Sequence, residues 1–85
     1  MTRFSSVEVA LDFVADFAHI SPRTEEKFVE VELTLEIRKK VRHKLQNPVC
    51  YKFKADDKEH TIVVDIHGDS FVCWYVNGKG FGREL

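Results

Sequence analysis

The sequence predicts an α+β domain: an N-terminal amphipathic helix, a second and mainly helical segment, then a three- to four-stranded antiparallel β-meander. Three observations predict it. Apolar residues recur at spacings of three and four over residues 7–18, the period of one helix face. After Pro48 apolar and polar residues alternate, the period of a half-buried strand. The turns between those runs are short and polar, which suits antiparallel neighbours and not parallel crossovers.

The first helix begins at a capping serine, Ser5 or Ser6. Its apolar stripe is Val7, Ala10, Leu11, Val14, Phe17 and Ala18, widened by Phe4 and Phe13, and it ends near His19. Glu8, Asp12 and Asp16 fall on the opposite side. Residues 21–47 carry two conflicting signals. Ser21-Pro22 followed by Glu25 and Glu26 is a helix start, and Asn47-Pro48 is a helix stop. Acids at the front and bases at the rear also suit the helix dipole. Against this, Val29, Val31, Leu33, Leu35 and Ile37 alternate with Glu30, Glu32, Thr34 and Glu36, a strand pattern. The matched ends and the dipole favour a mainly helical segment. The alternative is a strand over 28–35 and a short helix over 36–46, with Thr34 near the cap.

Beyond Pro48, Val49, Tyr51 and Phe53 alternate with Cys50, Lys52 and Lys54. Residues 55–60 form a polar turn, and Ile62, Val64 and Ile66 mark the next strand. His67-Gly68-Asp69-Ser70 is a turn, Phe71 to Val76 is a strand apolar on both faces, and Asn77-Gly78 signals a hairpin. Lys79 to Arg83 is a short return strand. One sheet face takes Val49, Tyr51, Phe53, Ile62, Val64 and Ile66, ready for the helices. The other takes Val63 with Val72, Trp74 and Val76. An apolar second face calls for a partner or for a second cover from the long middle segment.

Eighty-five residues make a single domain, 1–85, with a small core. A composition 44% hydrophobic and 32% charged argues against disorder. No apolar run reaches the roughly 18 residues of a membrane span, and Met1 to Ser6 lacks the head of a signal peptide. Cys50 and Cys73 are too few for a disulfide framework and are expected to be reduced thiols. The expected location is cytoplasmic, without a membrane.

Candidate chemistry is sparse. Asp65, His67 and Asp69 alternate, with His60 before them, but a metal needs three or four converging ligands, and turn chemistry explains Gly68, Asp69 and Ser70. A nucleophile would be Cys50 or Cys73, with no spacing that brings a histidine to either. Gly78, Gly80 and Gly82 lack the following helix that a phosphate loop needs. The expectation is no enzyme activity, no metal and no cofactor.

The charge pattern is more informative. Residues 1–37 hold eight acids against three bases, and residues 55–85 six against three. Between them, residues 38–54 hold seven bases and no acid, so the net charge of −1 conceals a polarised chain. Acids and bases mirror one another about Ile37: Glu30 with Lys44, Glu32 with Arg42, Glu36 with Arg38. Two copies placed antiparallel about a twofold axis would oppose acid to base throughout. The expected function is a small non-enzymatic protein-interaction or regulatory module, a homodimer associating through residues 28–45. Glu30, Glu32, Glu36, Ile37, Arg38, Arg42 and Lys44 would carry self-association, and Trp74 would be an anchor for another protein. The alternative is nucleic-acid binding through Arg38, Lys39, Arg42, Lys44, Lys52 and Lys54, with Tyr51 and Phe53 beside the last two.

The order helix, helix, meander, with Asn47-Pro48 at the junction, resembles that of the dynein light chains. That resemblance implies a dimeric peptide-binding module; it carries no site residue over to this sequence.

Overall fold

The computed structural model describes residues 3–17, 28–55, 57–78 and 80–85. Helix α1 is Val7–Phe17, strand β1 Val29–Val31, helix α2 Leu35–Lys40, and strands β2 to β5 are Pro48–Ala55, Lys58–His67, Ser70–Tyr75 and Arg83–Glu84. The strands form one antiparallel sheet in the order β1-β2-β3-β4-β5.

The middle segment departs from the favoured reading. Residues 29–31 pair with β2, setting Val29 against Lys52 and Val31 against Cys50. The helix is only α2, with Thr34 as its cap: the Thr34 hydroxyl accepts from the Ile37 amide at 3.2 Å. Alternation overrode the helix-end signals because β1 gains a ladder with β2 while Val31 packs against the second core; Val29 stays exposed. The Ser21-Pro22 start lies outside the described residues, as does the expected end of the first helix near His19. The meander β2–β5 has the four strands of the upper expectation, β1 joins it as the strand of the strand-then-helix alternative, and the helix-helix-meander order of the dynein light chains is not the order of this chain.

The hairpins are tight. Ala55 pairs with Lys58, so the polar turn after β2 is shorter than the sequence suggests. Asp57 takes φ 61°, a left-handed conformation that Asp tolerates better than most residues. His67 pairs with Ser70 as the turn residues predict, and Gly68 takes φ 71°.

The sheet separates two cores. On one face Phe53, Ile62, Val64, Cys73, Leu85 and Phe4 enclose Ala10 and Val14 of α1. Ser6 caps this helix, its hydroxyl accepting from the Val9 amide at 3.2 Å. Phe4 exchanges backbone hydrogen bonds with Phe71 at 2.8 and 2.9 Å, tying the chain before α1 to the outer edge of β4. On the other face Cys50, Val63, Val72, Trp74 and Val76 are covered by Val41, with Val31, Leu33, Ile37 and Leu45 packed around them. The second face therefore finds its cover within the chain: residues 32–47 form a strap across it.

The strap is locked at its far end. The Lys40 carbonyl accepts from the Gly82 amide at 2.6 Å, and its ammonium donates to the Gly78 carbonyl. A Cβ at Gly82 would lie 2.7 Å from Val76 Cγ1 and 3.3 Å from the Lys40 carbonyl oxygen. Val76 is buried and stiff at χ1, so it cannot yield cheaply. Gly82→Ala is expected to destabilise by about 1–3 kcal/mol, read as a lower urea midpoint; an unchanged midpoint would show that the strap is not clamped here.

Candidate functional site

The strap carries most of the residues that the charge pattern singles out. Glu32 stands exposed in the connection to α2 and Glu36 in the first turn of α2, whereas Glu30, opposite Tyr51 of β2, lies on the α1 face of the sheet and away from the strap. Arg38 and Lys39 are exposed in its last turn, followed by exposed Arg42, His43 and Lys44. Ile37 is half-buried against the second core, at the midpoint. The acids thus lie toward the β1 edge and the bases toward the β4–β5 corner. Each half exposes a large apolar side chain: Leu35 is 67% exposed, and Phe81, which contacts the basic half, is 64% exposed. The Arg42 guanidinium carbon sits 4.4 Å from the centre of the Phe81 ring, a cation–π contact.

The strap's return leg is held by a group whose role the sequence reading missed. Asp65 is completely buried in β3. Its carboxylate accepts from the Asn47 amide at 2.7 Å and from the Gln46 amide at 3.1 and 3.2 Å. Burying a carboxylate is costly unless donors replace its water, and these amides are such donors. The available signal was an acid inside the apolar run Ile62 to Ile66. His67, at the end of β3, pairs with Ser70, and its backbone carbonyl accepts from Arg3 at 3.3 Å. Among the described residues no three His, Cys, Asp or Glu side chains converge as a metal site.

Trp74 is 2% exposed and lies under the strap, its ring 5.9 Å from that of His43. It is a core residue and presents no surface for a partner. Lys52 and Lys54 are on the same face as Trp74 but at the end of β2 remote from Asp65. Lys52 pairs with Glu59 at 3.2 Å, and Lys54 is exposed. Tyr51 and Phe53 point to the opposite face, toward α1. The expected platform of two aromatics beside two lysines is therefore split across the sheet.

A second aromatic group lies on the α1 face. Phe53 stacks on His60 at 5.1 Å and packs against Phe28 at 4.7 Å, and the His60 Nδ1 is hydrogen-bonded to the Tyr75 hydroxyl. Burial, with Glu30 nearby, pushes the Tyr51 phenol up.

Cys50 and Cys73 are both buried and free. They belong to opposite faces of the sheet, which rules out a bridge between them in this fold. Burial pushes the Cys73 thiol up to about 12. It also raises Cys50, against a smaller lowering by Lys52. Thiolate is the reactive form, so both cysteines are expected to react with Ellman's reagent at pH 8 at least about tenfold more slowly in the folded protein than in urea. Labelling of either at the unfolded rate would contradict this placement. The same shift sets a pH dependence. Above pH 9 the Cys73 thiol ionises in the unfolded chain and not in the folded one, so its contribution to stability falls as pH rises from 9 to about 12.

Among the described residues no helix is long and apolar enough to cross a membrane. Comparison of the chain with protein-family models, curated proteins and solved structures finds no match.

Proposed function

We propose that the protein is a small, non-enzymatic interaction module that forms a homodimer through the strap, within residues 28–45. One observation carries the reading: acids toward one end, bases toward the other, and an exposed apolar side chain with each half, all on one segment of the surface. A surface so divided is complementary to itself under a twofold axis near Ile37. Glu32 and Glu36 of one copy then meet Arg42 and Arg38 of the other, and Leu35 approaches the partner copy's Phe81. Because residues 28–45 are strand, turn and short helix in succession, the pairing is face to face and not a ladder of opposed strand residues. Trp74 takes no part. Complementary charge sets the orientation more than the affinity, and Leu35 and Phe81 supply apolar area.

Sedimentation velocity from about one to one hundred micromolar at low salt tests the reading. A concentration-dependent dimer that becomes monomeric in Arg38→Glu/Arg42→Glu supports it. A monomer at all concentrations sinks it, as does a dimer indifferent to that double substitution.

A further inference from the structure

We infer that the corner formed by Arg42 and Phe81 is a binding site for single-stranded nucleic acid. This goes beyond the proposed dimer, does not rest on it, and competes with it for Arg38, Arg42 and Phe81. The corner brings together two features that a single strand needs and that the sequence keeps 39 positions apart.

The first feature is a stacking surface. Phe81 is 64% exposed, and its ring carries the Arg42 guanidinium 4.4 Å from its centre. An aromatic ring and a guanidinium plane both accept an unstacked base. The second feature is cationic. Arg38, Lys39 and Lys44 are exposed, and among the described residues none of them forms an ion pair. Lys40 is committed to the Gly78 carbonyl. No acid occurs from residue 37 to residue 55, so phosphates approaching this segment meet one sign of charge.

Other polyanions fit less well. A duplex offers no unstacked base, and α2, six residues long, spans only about 9 Å of a groove. An acidic peptide or an anionic membrane uses the cations and leaves the stacked pair without a role. Exposed Glu36 and Glu84 and the net charge of −1 oppose long-range attraction, so binding is expected in the micromolar range at low salt. Four phosphate contacts, by Arg38, Lys39, Arg42 and Lys44, give a slope of about −3 in log affinity against log salt.

The test is fluorescence anisotropy with a labelled oligothymidylate of about twelve nucleotides, a length within the span of small single-strand sites. The comparison ligands are an abasic strand of equal length, a duplex, a polyglutamate peptide, and phosphatidylserine vesicles. The proposal expects the oligothymidylate to bind at least about tenfold more tightly than the abasic strand, with Phe81→Ala erasing that difference. Phe81 is exposed, so the variant keeps its fold. Lys39→Glu/Lys44→Glu should weaken both strands together. Equal binding of the abasic strand, the peptide or the vesicles overturns the proposal, as does insensitivity to Phe81→Ala or absence of binding at low salt. Glu32→Lys/Glu36→Lys separates the two readings. It removes the acidic half of the dimer surface and leaves the corner intact, so oligothymidylate must still bind the resulting protein; loss of binding there also overturns the proposal.

Discussion

Asp65→Ala is expected to destabilise the protein by about 2–6 kcal/mol, about 1–3 kcal/mol for each of the two backbone donors left without an acceptor. The whole domain has only about 4–13 kcal/mol to lose at typical stability per residue. The cause is the amides. Gln46 and Asn47 donate to this carboxylate, with Asn47 at 2.7 Å, and among the described residues neither amide has another acceptor. Removing the side chain leaves two backbone donors at the inner end of the strap and a cavity in β3. Asp65→Asn keeps one acceptor oxygen but turns an amide group toward the donors, and should fall between wild type and alanine. Urea unfolding followed by the fluorescence of the single tryptophan, Trp74, reads both variants. An alanine variant within about 1 kcal/mol of wild type would mean that the strap does not depend on this anchor.

Trp74→Ala should cost about 3–5 kcal/mol as a large-to-small core substitution. Trp74 fills the space between the sheet and the strap, among Val63, Val72, Val76 and Val41, with His43 over its ring. Leu33, Ile37 and Leu45 of the strap pack around the same core and would lose a neighbour with it. Since the variant lacks the fluorophore, far-ultraviolet circular dichroism in urea is the measurement. A surface anchor would give the opposite result, normal stability with impaired binding, and that outcome would contradict the burial of this ring. Both substitutions loosen one strap, so their effects should not add.

Much of this architecture is legible in the residues. Alternation places Tyr51, Phe53, Ile62 and Val64 on one face and Val63, Val72, Trp74 and Val76 on the other, because a strand's period of two leaves no freedom once the register is set. The middle segment is not legible in the same way, since its local signals disagree. Distance decides it. Crossing from β1 to β5 takes four strand spacings, about 19 Å. Residues 32–40 wound wholly as helix would span about 14 Å, whereas three extended residues and the six of α2 span about 19 Å. No local pattern contains that requirement.

The candidate surface is half legible. The charges about Ile37 can be read from the sequence, but not that Lys52 is engaged by Glu59 or that Trp74 is covered. Phe81 joins the basic segment through a contact between residues 42 and 81, which no local spacing announces. Asp65 is instructive in the same way. An acid in an apolar strand declares that it needs partners, but only the fold shows that they are backbone amides of the strap.

If the polarised strap is complementary to itself, exchanging its charges must first break and then restore the dimer. Arg38→Glu/Arg42→Glu and Glu32→Lys/Glu36→Lys should each sediment as monomers when alone. Mixed in equal amounts they should form a one-to-one heterodimer, because one of the two charge clusters across the axis is then restored as an acid–base pairing with signs reversed. Two monomeric variants that stay monomeric on mixing, or variants that dimerise alone, would contradict the account.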